Sequence, residues 1–183
     1  MPPDAIVRNG VRFKVEIKPD DCSDAPWQRE DGHGPVRLAH NWRTGWRSPK
    51  FPGERILHEA RGTAWFYDWQ AACKLARKDG WNVEPFDAPN RIERAVQADF
   101  DRLRRWLSND WCYVGVIVTE VSGEGYNALW GIESDAGDYL DEVVEELVDE
   151  LLMPRLRAWR AALKRRRAQR AMEQLEIAIA SPF

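Results

Sequence analysis

The chain has 183 residues, 44% of them hydrophobic and 31% charged, with 12 Gly, 11 Pro, 3 Cys and a formal net charge of -3. Those values exclude a disordered tail, a collagen-like chain and a disulfide scaffold, and the length suits one domain with a real core. No apolar run approaches the roughly 18–20 residues of a membrane span, and Met1-Pro2-Pro3-Asp4 lacks the basic-then-apolar layout of a signal peptide, so a cytoplasmic protein is expected.

The first element is a hairpin, because Asn9-Gly10 between two short extended runs is the signal for a two-residue type I′ turn. Val11, Phe13, Val15 and Ile17 then alternate with charged residues, which predicts a strand with one buried and one solvated face. From Pro19 to Gly53 the periodicity stops, leaving a long loop rich in Pro, Gly, Asp and Trp, and a connection of that length is usually functional or mobile. Glu54 to Tyr67 reads as extended chain interrupted at Gly62. Asp68 is a good N-cap for a helix carrying Trp69, Ala72, Cys73 and Ala76 on one face, and Gly80 stands where a left-handed cap belongs. A second helix is predicted from Asn90, with Glu93 completing a capping box and Ile92, Val96, Leu103 and Trp106 as its buried stripe.

Trp111 to Val121 is nearly continuous β-branched and aromatic sequence, the pattern of a central strand buried on both faces. Ser122 to Gly125 is a turn, and Tyr126, Ala128, Trp130 and Ile132 alternate through the strand that follows, closing an antiparallel hairpin. The last third is helical, entered through Ser134-Asp135, with Val143, Val144, Leu147, Leu151 and Leu152 as its stripe. Pro154 should kink or end that helix. A second helical run from Arg155 to about Ala180 carries Leu156, Trp159, Leu163, Leu175 and Ile179. These elements predict an α+β fold: an antiparallel sheet of about four strands with packed helices and a long kinked C-terminal helical region. The expected organisation is one domain over residues 1–153, with a Trp-rich loop at 19–53, and a basic helical extension over 154–183.

Charge is strongly segregated near the C-terminus. Glu133 to Glu150 holds nine acids and no Lys or Arg, and Arg155 to Arg170 holds eight basic residues and no acid. The acidic face (Asp138, Asp141, Glu142, Glu145, Glu146, Asp149) could imitate a row of phosphates toward a partner protein, and the basic helix (Arg157, Arg160, Lys164, Arg165, Arg167) could lie along real phosphates. Either could equally be the solvated face of an amphipathic helix, paired within the chain or across a homodimer of the C-terminal helices.

Ten tryptophans are many for this length. In the loop, Trp27, Trp42 and Trp46 alternate with Arg29, Arg37, Arg43 and Arg47, a composition suited to stacking on unpaired bases or anchoring a protein hot spot, or to covering the sheet. His33, His40 and His58 lie in the same half of the chain as Cys22, Asp31 and Glu59, but without helical i, i+4 spacing or any HExxH, GxSxG or GxxxxGK[ST] motif. Cys22, Cys73 and Cys112 form no CxxC pair. No catalytic residue, metal site or cofactor is therefore predicted.

Residues 25–36 (APWQREDGHGPV), 52–57 (PGERIL), 66–81 (FYDWQAACKLARKDGW), 113–119 (YVGVIVT) and 129–143 (LWGIESDAGDYLDEV) resemble a family of uncharacterised proteins encoded by tailed bacteriophages and prophages. The resemblance implies a small accessory protein in the host cytoplasm. Such proteins commonly bind host machinery, so it implies a non-catalytic inhibitor of a host complex, such as a restriction or CRISPR defence system, acting through the acidic face and the aromatic loop. The alternative is a nucleic-acid-binding protein that uses the basic helix and the same loop.

Overall fold

The computed structural model describes residues 4–29, 32–40, 51–60, 62–81, 90–123 and 125–180, with side chains up to Glu173. The fold is mixed α+β, and its strands divide between a four-stranded and a three-stranded antiparallel sheet. The chain forms two compact units, one built from the residues up to Pro19, Val114–Ile132 and the residues from Ala136 onward, the other from Asp20–Tyr113 with Glu133–Asp135.

In the first unit, β1 (Ala5–Arg8) and β2 (Val11–Pro19) form the predicted hairpin, with Asn9 at φ 51° and Gly10 at φ 77°, the left-handed pair that a type I′ turn requires. Strand β2 then pairs with β6 (Tyr113–Glu120), which is followed by β7 (Tyr126–Glu133), giving the order β1-β2-β6-β7. As its composition predicts, β6 is interior to the sheet. Its register sets Val118 opposite Val15, and Val114, Val116 and Val118 share with Phe13 and Val15 the face that packs against helix α4 (Tyr139–Ala180). Helix α4 supplies Leu140, Val143, Val144, Leu147, Val148 and Leu152 to this core.

Two expectations are corrected here. Strand β7 does not alternate to its end, because Gly131 at φ 80° breaks the phase. Ile132 enters the core, while Trp130 covers Gly115 on the opposite face of the sheet. Ser134 and Asp135 do not open the last helix, which starts at Tyr139 after Gly137 at φ 61°. Their side chains instead bind Cys112 N and the guanidinium groups of Arg102 and Arg105. Of the two outcomes expected at Pro154, a kink or an end, the end does not occur, since α4 continues through it to Ala180.

In the second unit, the sheet order is β3 (Val36–His40), β5 (Thr63–Asp68), β4 (Glu54–Ala60). The segment from Pro19 to Gly53 is thus not all loop: it carries the one-turn helix α1 (Pro26–Arg29) and strand β3, whose pairing with β5 its sequence pattern did not announce. Helix α2 (Trp69–Asp79) is capped as predicted, with the Asp68 carboxylate accepting Ala71 N at 2.9 Å and Gly80 left-handed at φ 68°. Helix α3 (Arg91–Leu107) differs, because Asn90 adopts φ 62° and its side chain makes no cap bond. Left-handed backbone carries the amide away from the N–H groups that it would otherwise accept. Tyr67, Ala72, Cys73, Ala76, Val96, Phe100 and Leu103 form the core, with Trp27, Trp65 and Trp69 packed around it.

Candidate functional site

Helix α4 holds both charged segments. Its composition favours helix throughout, since Ala, Leu, Arg, Lys, Glu and Gln dominate it. In the acidic half, burial of the apolar stripe turns Glu142, Glu145, Glu146 and Asp149 to solvent and leaves Asp141 half-buried, and Asp138 is exposed just before the helix. Part of this face is already neutralised. Arg8, on the core-facing side of β1, pairs with Glu145 and with Asp149 at 3.0 Å, and the two carboxylates raise its pKa. Glu150 accepts from Asn127 at 2.5 Å.

The basic half is different. Arg155 is fixed by buried Glu120 at 2.7 Å, which ties the segment to the end of β6. Beyond it, Arg157, Arg160, Lys164, Arg165, Arg166, Arg167 and Arg170 are all exposed, and none of them makes an ion pair among the described residues. Spacings of three, four and three residues put Arg157, Arg160, Lys164 and Arg167 in one row, about 15 Å long at 1.5 Å per residue. Trp159, 62% exposed, and half-buried Leu156 and Leu163 lie on an adjacent stripe.

The aromatic loop is only partly a surface feature. Trp27 is half-buried and packs edge-to-face on Trp106 with ring centroids 5.4 Å apart. Arg29 lies over Tyr113, and Arg37 forms a two-bond pair with buried Glu54, both bonds at 2.8 Å. Trp42, Trp46, Arg43, Arg47 and Asp31 lie outside the described residues, as do the side chains of Leu175 and Ile179.

One polar cluster escaped the sequence entirely. Asp99, on α3, is nearly buried and accepts three hydrogen bonds or contacts: His33 Nδ1 at 2.6 Å, Gly34 N at 2.8 Å and the Tyr67 hydroxyl at 2.6 Å. Burial, reinforced by the neighbouring carboxylate, pushes the Tyr67 hydroxyl far above its ordinary pKa. Gly34 has to be glycine, because a Cβ there would sit 2.4 Å from the Tyr67 ring and hydroxyl. The His33 ring thus joins the loop to α3. The other two histidines lie elsewhere, His40 near the Thr63 hydroxyl and His58 against the Trp65 ring. Among the described residues no three His, Cys, Asp or Glu side chains gather as metal ligands. None of the described helices is long and apolar enough to cross a membrane.

No family model matches the chain, and neither does any curated protein or solved structure.

Proposed function

We propose that the protein binds nucleic acid, with the basic half of α4 lying along the phosphate backbone. The observation that carries this reading is the run of seven exposed cations from Arg157 to Arg170, none ion-paired among the described residues. An unpaired cation row gains most from a polyanion, because each neutralised phosphate releases condensed counterions. Guanidinium groups supply most of the charge, and their fork geometry suits phosphate oxygens. Nothing in this arrangement selects a base sequence.

Fluorescence anisotropy with a labelled DNA duplex and a labelled RNA strand, at salt from about 50 to 200 mM, tests the reading. If the row of four contacts four phosphates, log K should fall against log salt with a slope of about -3.6 on duplex DNA. Replacing Arg157, Arg160, Lys164 and Arg167 with Ala should remove most of that slope. No binding at the lowest salt, or a slope unchanged in the quadruple variant, would overturn the assignment.

A second reading rests on Asp138, Glu142 and Glu146, which are exposed and without ion-pair partners among the described residues. They suit a partner protein with a basic surface, and the resemblance to phage proteins suggests a host defence complex. Capture of one stoichiometric host complex that survives nuclease, lost with Glu142→Lys and Glu146→Lys, would favour this reading over the first.

A further inference from the structure

The outward face of α4 has a symmetry that neither charged half shows alone. Counting from Met153, the face opposite the buried stripe carries Asp149, Glu146, Glu142 and Tyr139 at four, seven, eleven and fourteen residues before it. It carries Arg157, Arg160, Lys164 and Arg167 at the same four distances after it. Spacings of three and four residues hold these side chains in one line, about 42 Å long at 1.5 Å per residue. All of them are exposed, Met153 by 42% and Tyr139 by 50%. Asp149 pairs with Arg8, and the other charged side chains of the line form no ion pair among the described residues.

The two halves cannot neutralise each other within one chain. Helix α4 runs unbroken through Pro154, so the carboxylates and the cations stay on opposite sides of Met153. A second copy laid parallel would set carboxylate beside carboxylate and cation beside cation. Laid antiparallel, with Met153 of both copies at a two-fold axis, it sets Glu142 of one copy against Lys164 of the other, Glu146 against Arg160 and Asp149 against Arg157. The Tyr139 ring then meets Arg167, a pairing that a guanidinium group favours. Each contact occurs twice, as the self-complementary surface of a two-fold dimer requires. A residue on the axis meets its own copy, so a charge there would repel itself. That position holds Met153, the one aliphatic side chain of the line.

We propose that the chain self-associates as an antiparallel two-fold dimer through this face of α4, the acidic half of each copy lying on the basic half of the other. The pairing does not depend on nucleic-acid binding, but it covers the same cations. Carboxylates of the second copy stand where phosphates would, so dimer formation and a bound polyanion exclude each other on the row.

Sedimentation velocity of the full chain without nucleic acid tests the pairing. A species of twice the chain mass is expected at about 50 mM salt, and its dissociation constant should rise at least about tenfold by about 500 mM as the ion pairs are screened. Glu142→Lys with Glu146→Lys should give a monomer, and so should Arg160→Glu with Lys164→Glu; all four positions are exposed. Mixed in equal amounts, the two variants should form a heterodimer, because each offers the charge that the other has lost. Recovery on mixing also shows that both are folded. A parent chain that stays monomeric at the lower salt, a dimer untouched by either reversal, or variants that do not associate on mixing would each overturn the proposal. Loss of the dimer by any of these routes leaves phosphate binding to be judged by its own salt dependence.

Discussion

The Tyr67 hydroxyl donates to Asp99 Oδ2 at 2.6 Å, joining the central strand of the three-stranded sheet to helix α3 inside a largely apolar core. The same carboxylate holds Gly34 N and the His33 ring, so one acidic side chain fastens three segments that are distant in the sequence. A buried carboxylate of this kind is stable only while its donors stay in place.

The first prediction concerns pH. Burial and Asp99 keep the Tyr67 hydroxyl protonated well above its ordinary value of 10.0. In the unfolded chain the phenol ionises near 10, whereas the folded chain retains its proton, so unfolding releases a proton at higher pH. Stability is therefore fully present below pH 10 and falls above it, by about 1.4 kcal/mol per pH unit from this group. Urea unfolding between pH 9 and 11 should give a shallower decline in Tyr67→Phe than in the parent chain. Equal declines would exclude Tyr67 as the source.

Gly115 is the second test. A strand glycine replaced by alanine would ordinarily gain stability, through reduced freedom of the unfolded chain. Here an added Cβ would stand 2.2 Å from the Trp130 ring, so Gly115→Ala should lose about 1–3 kcal/mol through overpacking. In a Trp130→Ala background the same substitution should become neutral or stabilising. A double-mutant cycle from denaturant melts measures the difference.

Pro154 lies inside α4, where it removes a backbone hydrogen bond and crowds the preceding turn. Pro154→Ala should raise helix content by circular dichroism and stabilise the fold by about 1–3 kcal/mol. An unchanged or lower unfolding midpoint would mean that a bend at Pro154 is needed to bring Arg155 to Glu120.

The three thiols should separate by reactivity. Cys73 is buried on the inner face of α2, and desolvation pushes its pKa up, which suppresses the thiolate. Cys22 and Cys112 are exposed. Titration with a chromogenic disulfide at pH 8 should consume two thiols quickly and the third only as the protein unfolds. Three fast thiols would show that α2 opens readily.

Several local features could be read directly because neighbouring residues specify them. Asn9-Gly10 dictates its turn through left-handed backbone, Asp68 and Gly80 cap α2 through groups within four residues, and the β-branched run of β6 needs only its own composition to be recognised as an interior strand. The same logic failed at Asn90, where the capping-box spacing was present but the backbone turned left-handed, and at Gly131, where one conformation reversed the facing of Trp130 against Ile132. Strand β3 was missed because its five residues show no clean alternation, and its identity comes from pairing with β5.

For this protein, then, the sequence by itself determined the α+β class, most element boundaries and the opposed charges of α4, since propensity, periodicity and charge are properties of contiguous residues. Tertiary structure alone decided that the strands form two sheets, that Arg8 neutralises part of the acidic face while the basic row stays unpaired among the described residues, and that Asp99 gathers His33, Gly34 and Tyr67. The physical reason is common to all of these: hydrogen bonds, ion pairs and aromatic contacts act over a few ångströms in space, and which residues come that close is fixed by the packing of the cores.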